Sequence, residues 1–135
     1  MNVFCYGTLM FKQVWTRVVC GTYCSLQGAV AEFERRFVKG ETYPCLVPTD
    51  GNHPVEGIVY LDVVESDLAR LDLFEGGYYE RLTTRCKVMQ GDFLDVAVYV
   101  FKPEYRELAA PRDWDPDWFE EFGLSIFLKR YTGFS

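Results

Sequence analysis

The sequence predicts an α+β domain dominated by a small curled antiparallel or mixed β-barrel, with six or seven strands flanked by two or three helices. Three observations lead there. Aromatic residues make up 17% of the 135-residue chain, as 11 Phe, 9 Tyr and 3 Trp, an enrichment that favours β-rich packing or a pocket walled by rings. Tyr79 to Val88 and Phe93 to Phe101 read as two long strands joined through Gln90-Gly91-Asp92 as a hairpin. Helical spacing of apolar residues is confined to brief stretches. The length fits one domain, which most often holds ~100–150 residues, and no repeat, low-complexity tract or linker divides residues 1–135.

Taken in order, Asn2 to Tyr6 reads as a short strand ending at Gly7. Phe11 to Cys20 follows with Phe11, Val14, Trp15, Val18 and Val19 at three- and four-residue steps, one face of a helix. Ser25 to Phe37 has strand character, broken at Gly28. Tyr43 to Pro48 is short and bracketed by prolines, which suits an edge strand or an ordered loop. Val55 to Leu61 is β-branched, with Gly57 where a bulge or a close backbone contact belongs. Ser66 offers an N-cap for a helix of about two turns, along which Leu68, Leu71 and Phe74 recur before Gly76-Gly77 stop it. Asp115-Pro116 resembles a cap with proline at the first helical position, and Trp118, Phe122 and Ile126 line a last helix.

Composition narrows the function. Acidic residues outnumber basic ones 20 to 14, for a formal charge of −6; without a basic stripe there is no electrostatic basis for gripping nucleic acid. Apolar runs such as Val96 to Phe101 fall far short of the ~20 residues a membrane span needs. No charged segment followed by an apolar stretch opens the chain, so the expected location is the cytoplasm. The single histidine, His53, sits in a predicted surface turn, Thr49 to Pro54, a poor place to hold a base. Cys5, Cys20, Cys24, Cys45 and Cys86 form no Cys-x-x-Cys pair and read as reduced thiols buried as small hydrophobes. No nucleotide-binding loop is present, so no cofactor or metal is implied. Chemistry here would rest on carboxylates, hydroxyls and backbone amides.

Two segments offer such groups. Tyr6-Gly7-Thr8-Leu9 joins a strand to a helix, and a helix start presents unpaired N–H donors suited to an anion. Gly7 would admit a ligand close to the backbone, and Thr8 adds a hydroxyl. In Leu71 to Arg81, Glu75 follows the apolar stripe and precedes the glycine stop. A carboxylate at a helix C-terminus, set against aromatic walls, has its pKa pushed up toward the range useful for proton transfer; the alternative is that Glu75 points into water. Asp72, Glu80 and Arg81 read as a solvated face with surface pairs, and Tyr43, Tyr78 and Tyr79 as packing residues.

Together these segments carry a resemblance. Val3 to Met10, with Tyr-Gly-Thr-Leu at its centre, resembles the opening of the gamma-glutamylcyclotransferase-like family. Glu41 to Pro48 is similar to that family's Tyr-Pro segment and Val55-Glu56-Gly57 to its Val-x-Gly strand. Leu71 to Arg81 matches its Leu-Asp-x-Phe-Glu-Gly-x-x-Tyr-x-Arg pattern. The matches keep the family's order over about the first 100 residues. Cys5 stands where a branched apolar residue is usual, and the chain from Pro103 onward carries no nameable motif of the family. The resemblance implies a small barrel with a cavity at its mouth. It also implies that Glu75 is the acid/base, that the amides of Tyr6, Gly7, Thr8 and Leu9 hold substrate, and that Tyr79 lines the cavity. The implied partner is a small γ-glutamyl compound.

A γ-glutamyl amide carries its own nucleophile, the α-amino group, whose attack on the γ-carbonyl gives 5-oxoproline and a free amine. Such a reaction requires no histidine, metal or nucleotide. The competing expectation is a non-catalytic module that senses a small carboxylate in the same cavity. Trp114, Trp118 and Tyr131 are candidates for walls that distinguish the amine side.

Overall fold

Alternation of side chains along eight strands builds two sheets, one of which closes on itself. The computed structural model describes residues 1–51 and 53–131. The strands are β1 (Val3–Cys5), β2 (Ser25–Val30), β3 (Phe33–Val38), β4 (Pro44–Pro48), β5 (Val55–Tyr60), β6 (Tyr79–Val88), β7 (Phe93–Phe101) and β8 (Ala109–Asp113). The helices are α1 (Lys12–Val18), α2 (Glu65–Glu75), α3 (Pro116–Trp118) and α4 (Leu124–Arg130). Five strands form a closed barrel in the order β1-β5-β2-β6-β7, and β4-β3-β8 form a separate sheet. Neighbours are antiparallel except at the closure, where β1 runs parallel to β7 with Val3 opposite Ala97. The α+β barrel expected from sequence is therefore present, with five strands in the barrel proper and three in the second sheet.

The unbroken apolar run of β7 follows from burial on both faces. Val96, Val98 and Val100 pack with Phe4, Val30 and Val59. The alternate residues Ala97 and Tyr99 join Val3 and Cys5 in a second cluster with Val14, Trp15 and Val18 of α1, Leu68 and Leu71 of α2, and Phe119 and Leu124. Each large side chain fully buried in this way contributes about 1.5–3 kcal/mol.

The barrel demands two close approaches, and glycine permits both. A Cβ at Gly57 would meet the Cys5 carbonyl oxygen at 2.2 Å and the Phe4 ring at 2.8 Å. Gly28, opposite Gly57 in the β2–β5 ladder, lies inside β2 and does not break it; a Cβ there would meet Cys86 Sγ at 2.6 Å.

Three other expectations are corrected. First, α2 is three turns long, begins at Glu65 after Val64, and has no side-chain cap, so Ser66 lies within it. Its start is fixed instead by buried Asp67, which accepts from the N–H groups of Cys20 and Gly21, both at 2.9 Å, and from the Tyr23 hydroxyl at 2.6 Å. Second, Asp115 does cap α3, accepting from Asp117 N–H at 3.0 Å, but a wider π turn over Phe119–Gly123 intervenes before α4. That turn rotates the inward face, so Phe119 and Leu124 are buried while Phe122 and Ile126 are 55% and 45% exposed. Third, Cys5, Cys45 and Cys86 are buried but Cys20 and Cys24, flanking the turn from α1 to β2, are exposed. β8, with proline inside it, is an edge strand that sequence pattern does not reveal. His53 is exposed; Asn52, in the same predicted turn, lies outside the described residues.

Replacing Gly57 with alanine drives a methyl group into the β1 backbone and is expected to cost about 1–3 kcal/mol or more by urea denaturation. Gly77→Ala, where a Cβ meets nothing within 4 Å, is the control, expected within about 0.5 kcal/mol of wild type.

Candidate active site

The site forms where the end of β1, the end of α2 and the start of β6 converge. After β1 the chain passes through Tyr6 and Gly7 into a 3₁₀ turn, Thr8–Met10. Tyr6 is pinned at both ends: its hydroxyl donates to the Tyr99 carbonyl at 2.6 Å, and its own carbonyl accepts from Arg35 Nη1 at 2.9 Å. Met10 N–H donates to the Gly7 carbonyl and Phe11 N–H to that of Thr8, which leaves the N–H groups of Gly7, Thr8 and Leu9 with no hydrogen-bond partner among the described residues. Gly7 is required by packing, since a Cβ would lie 2.6 Å from Pro44 Cγ. That contact joins the Tyr-Gly-Thr-Leu and Tyr-Pro segments in space.

Glu75 is the last residue of α2, and the chain leaves the helix through Gly76 at φ 79°, a left-handed conformation that favours glycine. Its carboxyl lines a cavity of about 260 Å³ shared with Tyr6, Gly7, Thr8 and Leu9. Burial pushes its pKa up, Asp72 one turn earlier adds charge repulsion, and the result is about 8. Asp72, read from sequence as part of a solvated face with surface pairs, is exposed and approaches Arg81 at 3.7 Å as that reading expects, and its charge also acts on Glu75. No hydrogen bond or ion pair engages Glu75 among the described residues. A carboxyl with these properties can accept and return a proton near neutral pH.

Tyr79 lines the same cavity, and its hydroxyl donates to the Pro44 carbonyl at 2.9 Å, tying the start of β6 to β4. Burial drives the Tyr6, Tyr79 and Tyr99 phenols up, so they remain neutral donors. Tyr43 and Tyr78, read as packing residues, also line the cavity. Of the proposed amine-side walls only Tyr131 does so. Trp114 is core, its indole N–H donating to the Thr42 carbonyl at 2.8 Å, and Trp118 packs edge-on against Phe37. Sequence reading missed Phe127, Arg130 and Tyr99 as lining residues; the first two lie on α4, after a π turn that periodicity could not anticipate.

These features define a class, a closed-barrel α+β protein whose pocket sets one elevated carboxyl against an amide-rich glycine loop. The chain belongs to the family described as gamma-glutamyl cyclotransferase, AIG2-like, whose model matches residues 3–118. It is similar to AIG2-like protein A of Arabidopsis thaliana, 35% identical over 82 residues, which are 61% of this chain and 49% of that protein. The chain thus spans about half the length of that relative. It is also similar to Protein AIG2 C of the same plant, 30% identical over 124 residues, 90% of this chain and 71% of that one. A solution structure from Arabidopsis thaliana superposes with a TM-score of 0.71 at 26% identity, covering 96% of this chain and 86% of the other. The match runs to Trp118, past Pro103 where the motifs read from sequence stop, so Phe127, Arg130 and Tyr131 of the cavity wall lie beyond what the family model describes.

The raised pKa carries a stability consequence. Because folded Glu75 holds its proton up to about 8 and the unfolded chain releases it near 4.3, the stability that wild type enjoys below that lower value declines as pH rises between the two. The Glu75→Gln variant lacks this loss. Its melting temperature is expected to equal wild type at pH 4 and to exceed it at pH 8.5, measured by thermal unfolding monitored by circular dichroism.

Proposed function

We propose that this protein is a γ-glutamyl cyclotransferase acting on a small γ-glutamyl amide, with Glu75 as its acid/base. The observation that carries the reading is the placement of a carboxyl with a pKa of about 8 in one cavity with the partnerless amides of Gly7, Thr8 and Leu9. Membership of the family supports it.

In this mechanism the loop amides receive the substrate's α-carboxylate, folding the glutamyl chain so that its α-nitrogen faces its γ-carbonyl. Well-oriented intramolecular attack of this kind reaches effective molarities of ~10⁵–10⁸ M. Ionised Glu75 takes a proton from the α-ammonium, and the freed amine adds to the γ-carbonyl carbon. The bond from that carbon to the amide nitrogen then breaks as Glu75 returns its proton to the departing nitrogen, which also takes up the second proton that the ring nitrogen sheds and leaves as an ammonium. The products are 5-oxoproline and the free amine, with no oxidant or water consumed. The amine part lies against Tyr43, Tyr78 and Phe127, an aromatic wall that favours apolar bodies.

Purified protein incubated with a panel of γ-glutamyl amino acids and amines is expected to release 5-oxoproline, fastest from members with apolar amine parts. Glu75→Gln is expected to lower kcat by ~10²–10⁴. The reactive form needs ionised Glu75, so the acidic limb of kcat/KM is expected to rise through about pH 8. Folded protein that releases no 5-oxoproline from any panel member overturns the reading, and a Glu75→Gln variant with most of its activity overturns the proton carrier.

A further inference from the structure

The two halves of the site are tied through one side chain that sequence reading did not single out. Tyr99 lies in β7, only 4% exposed, with its ring on the cavity. Its hydroxyl donates to Asp72 Oδ1 at 2.6 Å, and Asp72 is one helical turn before Glu75 on α2. Its carbonyl accepts from the Tyr6 hydroxyl at 2.6 Å, one residue before the amide loop begins. Arg81, directly across the β6–β7 ladder from Tyr99, approaches the same Asp72 oxygen at 3.7 Å. A single residue of the rigid barrel therefore holds the end of the helix with its side chain and the start of the loop with its backbone.

Resting on the reading of Glu75 as acid/base, we infer that Tyr99 is a positioning residue for that carboxyl: by fixing Asp72 it sets the distance and charge that the last turn of α2 presents to Glu75. The groups around Glu75 leave this role to Asp72. Cys5 and Tyr6 on the β1 side, Tyr79 on β6 and Tyr99 itself are all pushed up by burial and stay uncharged. Glu41 and Arg130 on the cavity wall face each other at 3.7 Å. Asp72 is the charged group that acts on Glu75, and Arg81 and the Tyr99 hydroxyl are what hold it. A hydroxyl that locks a charged neighbour of the acid/base acts through that neighbour, so its effect must disappear once the neighbour's charge is gone.

The test titrates the Glu75 side-chain carboxyl by ¹³C NMR in wild type, Tyr99→Phe, Asp72→Asn and the double variant. Tyr99→Phe keeps the ring and removes only the donor. Asp72→Asn is expected to lower the Glu75 midpoint by about one pH unit, through loss of like charge. Tyr99→Phe is expected to move the midpoint by half a unit or more in the Asp72 background and by less than a tenth in the Asp72→Asn background. With a turned-over substrate, kcat is expected to fall about tenfold in Tyr99→Phe with KM changed less than twofold, and the double variant to be no slower than the slower single one. An unmoved midpoint in Tyr99→Phe, or equal shifts in both backgrounds, overturns the inference. The titration needs no substrate: a coupled shift without any 5-oxoproline would uphold Tyr99 as a positioning residue while defeating the cyclotransferase reading. Should Tyr99→Phe not fold, Asp72→Asn examines the same link, and an unmoved midpoint there overturns it.

Discussion

Holding a carboxyl group out of water is costly, and the architecture around Glu75 arranges for that cost to be borne. Raising the pKa of a glutamate to about 8 means that ionising it in the folded protein is harder by a few kcal/mol than in water. The side chain therefore destabilises the fold at neutral pH, and the surrounding framework must be rigid enough to tolerate it. The closed barrel supplies that rigidity. β1, which leads into Tyr6, and β7, which carries Tyr99, are buried on both faces, and α2 is anchored at its start by Asp67 and along its length by Arg70, whose Nε donates to the Val18 carbonyl at 2.6 Å.

Opposite Glu75 the geometry depends on close backbone approaches. Gly7 lets Pro44 come within a distance no side chain would allow, and Tyr79 then seals the junction by bonding to the Pro44 carbonyl. The amides of Gly7, Thr8 and Leu9 have no partner among the described residues because they precede the first hydrogen bond of the 3₁₀ turn, which Met10 N–H makes. Three segments far apart in sequence thus converge on one hollow, each through backbone as much as side chain.

The hairpin of β6 and β7 was legible to the residue, because strict strand patterning and a glycine turn coincide there. The close contact at Gly57 was also legible, since glycine inside a β-branched run signals a crowded backbone. Glu75, Tyr6, Gly7, Thr8, Leu9 and Tyr79 stand together as site residues only through the family resemblance, since local pattern alone left Glu75 open and read Tyr79 as packing; all six line one cavity. Other features depend on tertiary contacts with no local signature. The first turn of α2 is anchored through Asp67, whose carboxylate accepts from groups of residues 20–23. Phe127 and Arg130, after the π turn, line the cavity, while Trp114 and Trp118, before it, pack into the core and against Phe37. Asp72 is the exposed charge its sequence context suggests, but its bond to Tyr99, 27 residues away, has no local signature.

Central to this account is that Glu75 and the glycine loop grip one ligand from opposite sides. Amide ¹H–¹⁵N spectra of the Glu75→Gln protein, titrated with a panel of γ-glutamyl compounds, test this directly. The account predicts that the signals of Gly7, Thr8 and Leu9 move most, together with those at positions 75 and 76. Saturable binding that leaves the loop signals unmoved, with shifts gathered elsewhere on the barrel, would contradict it.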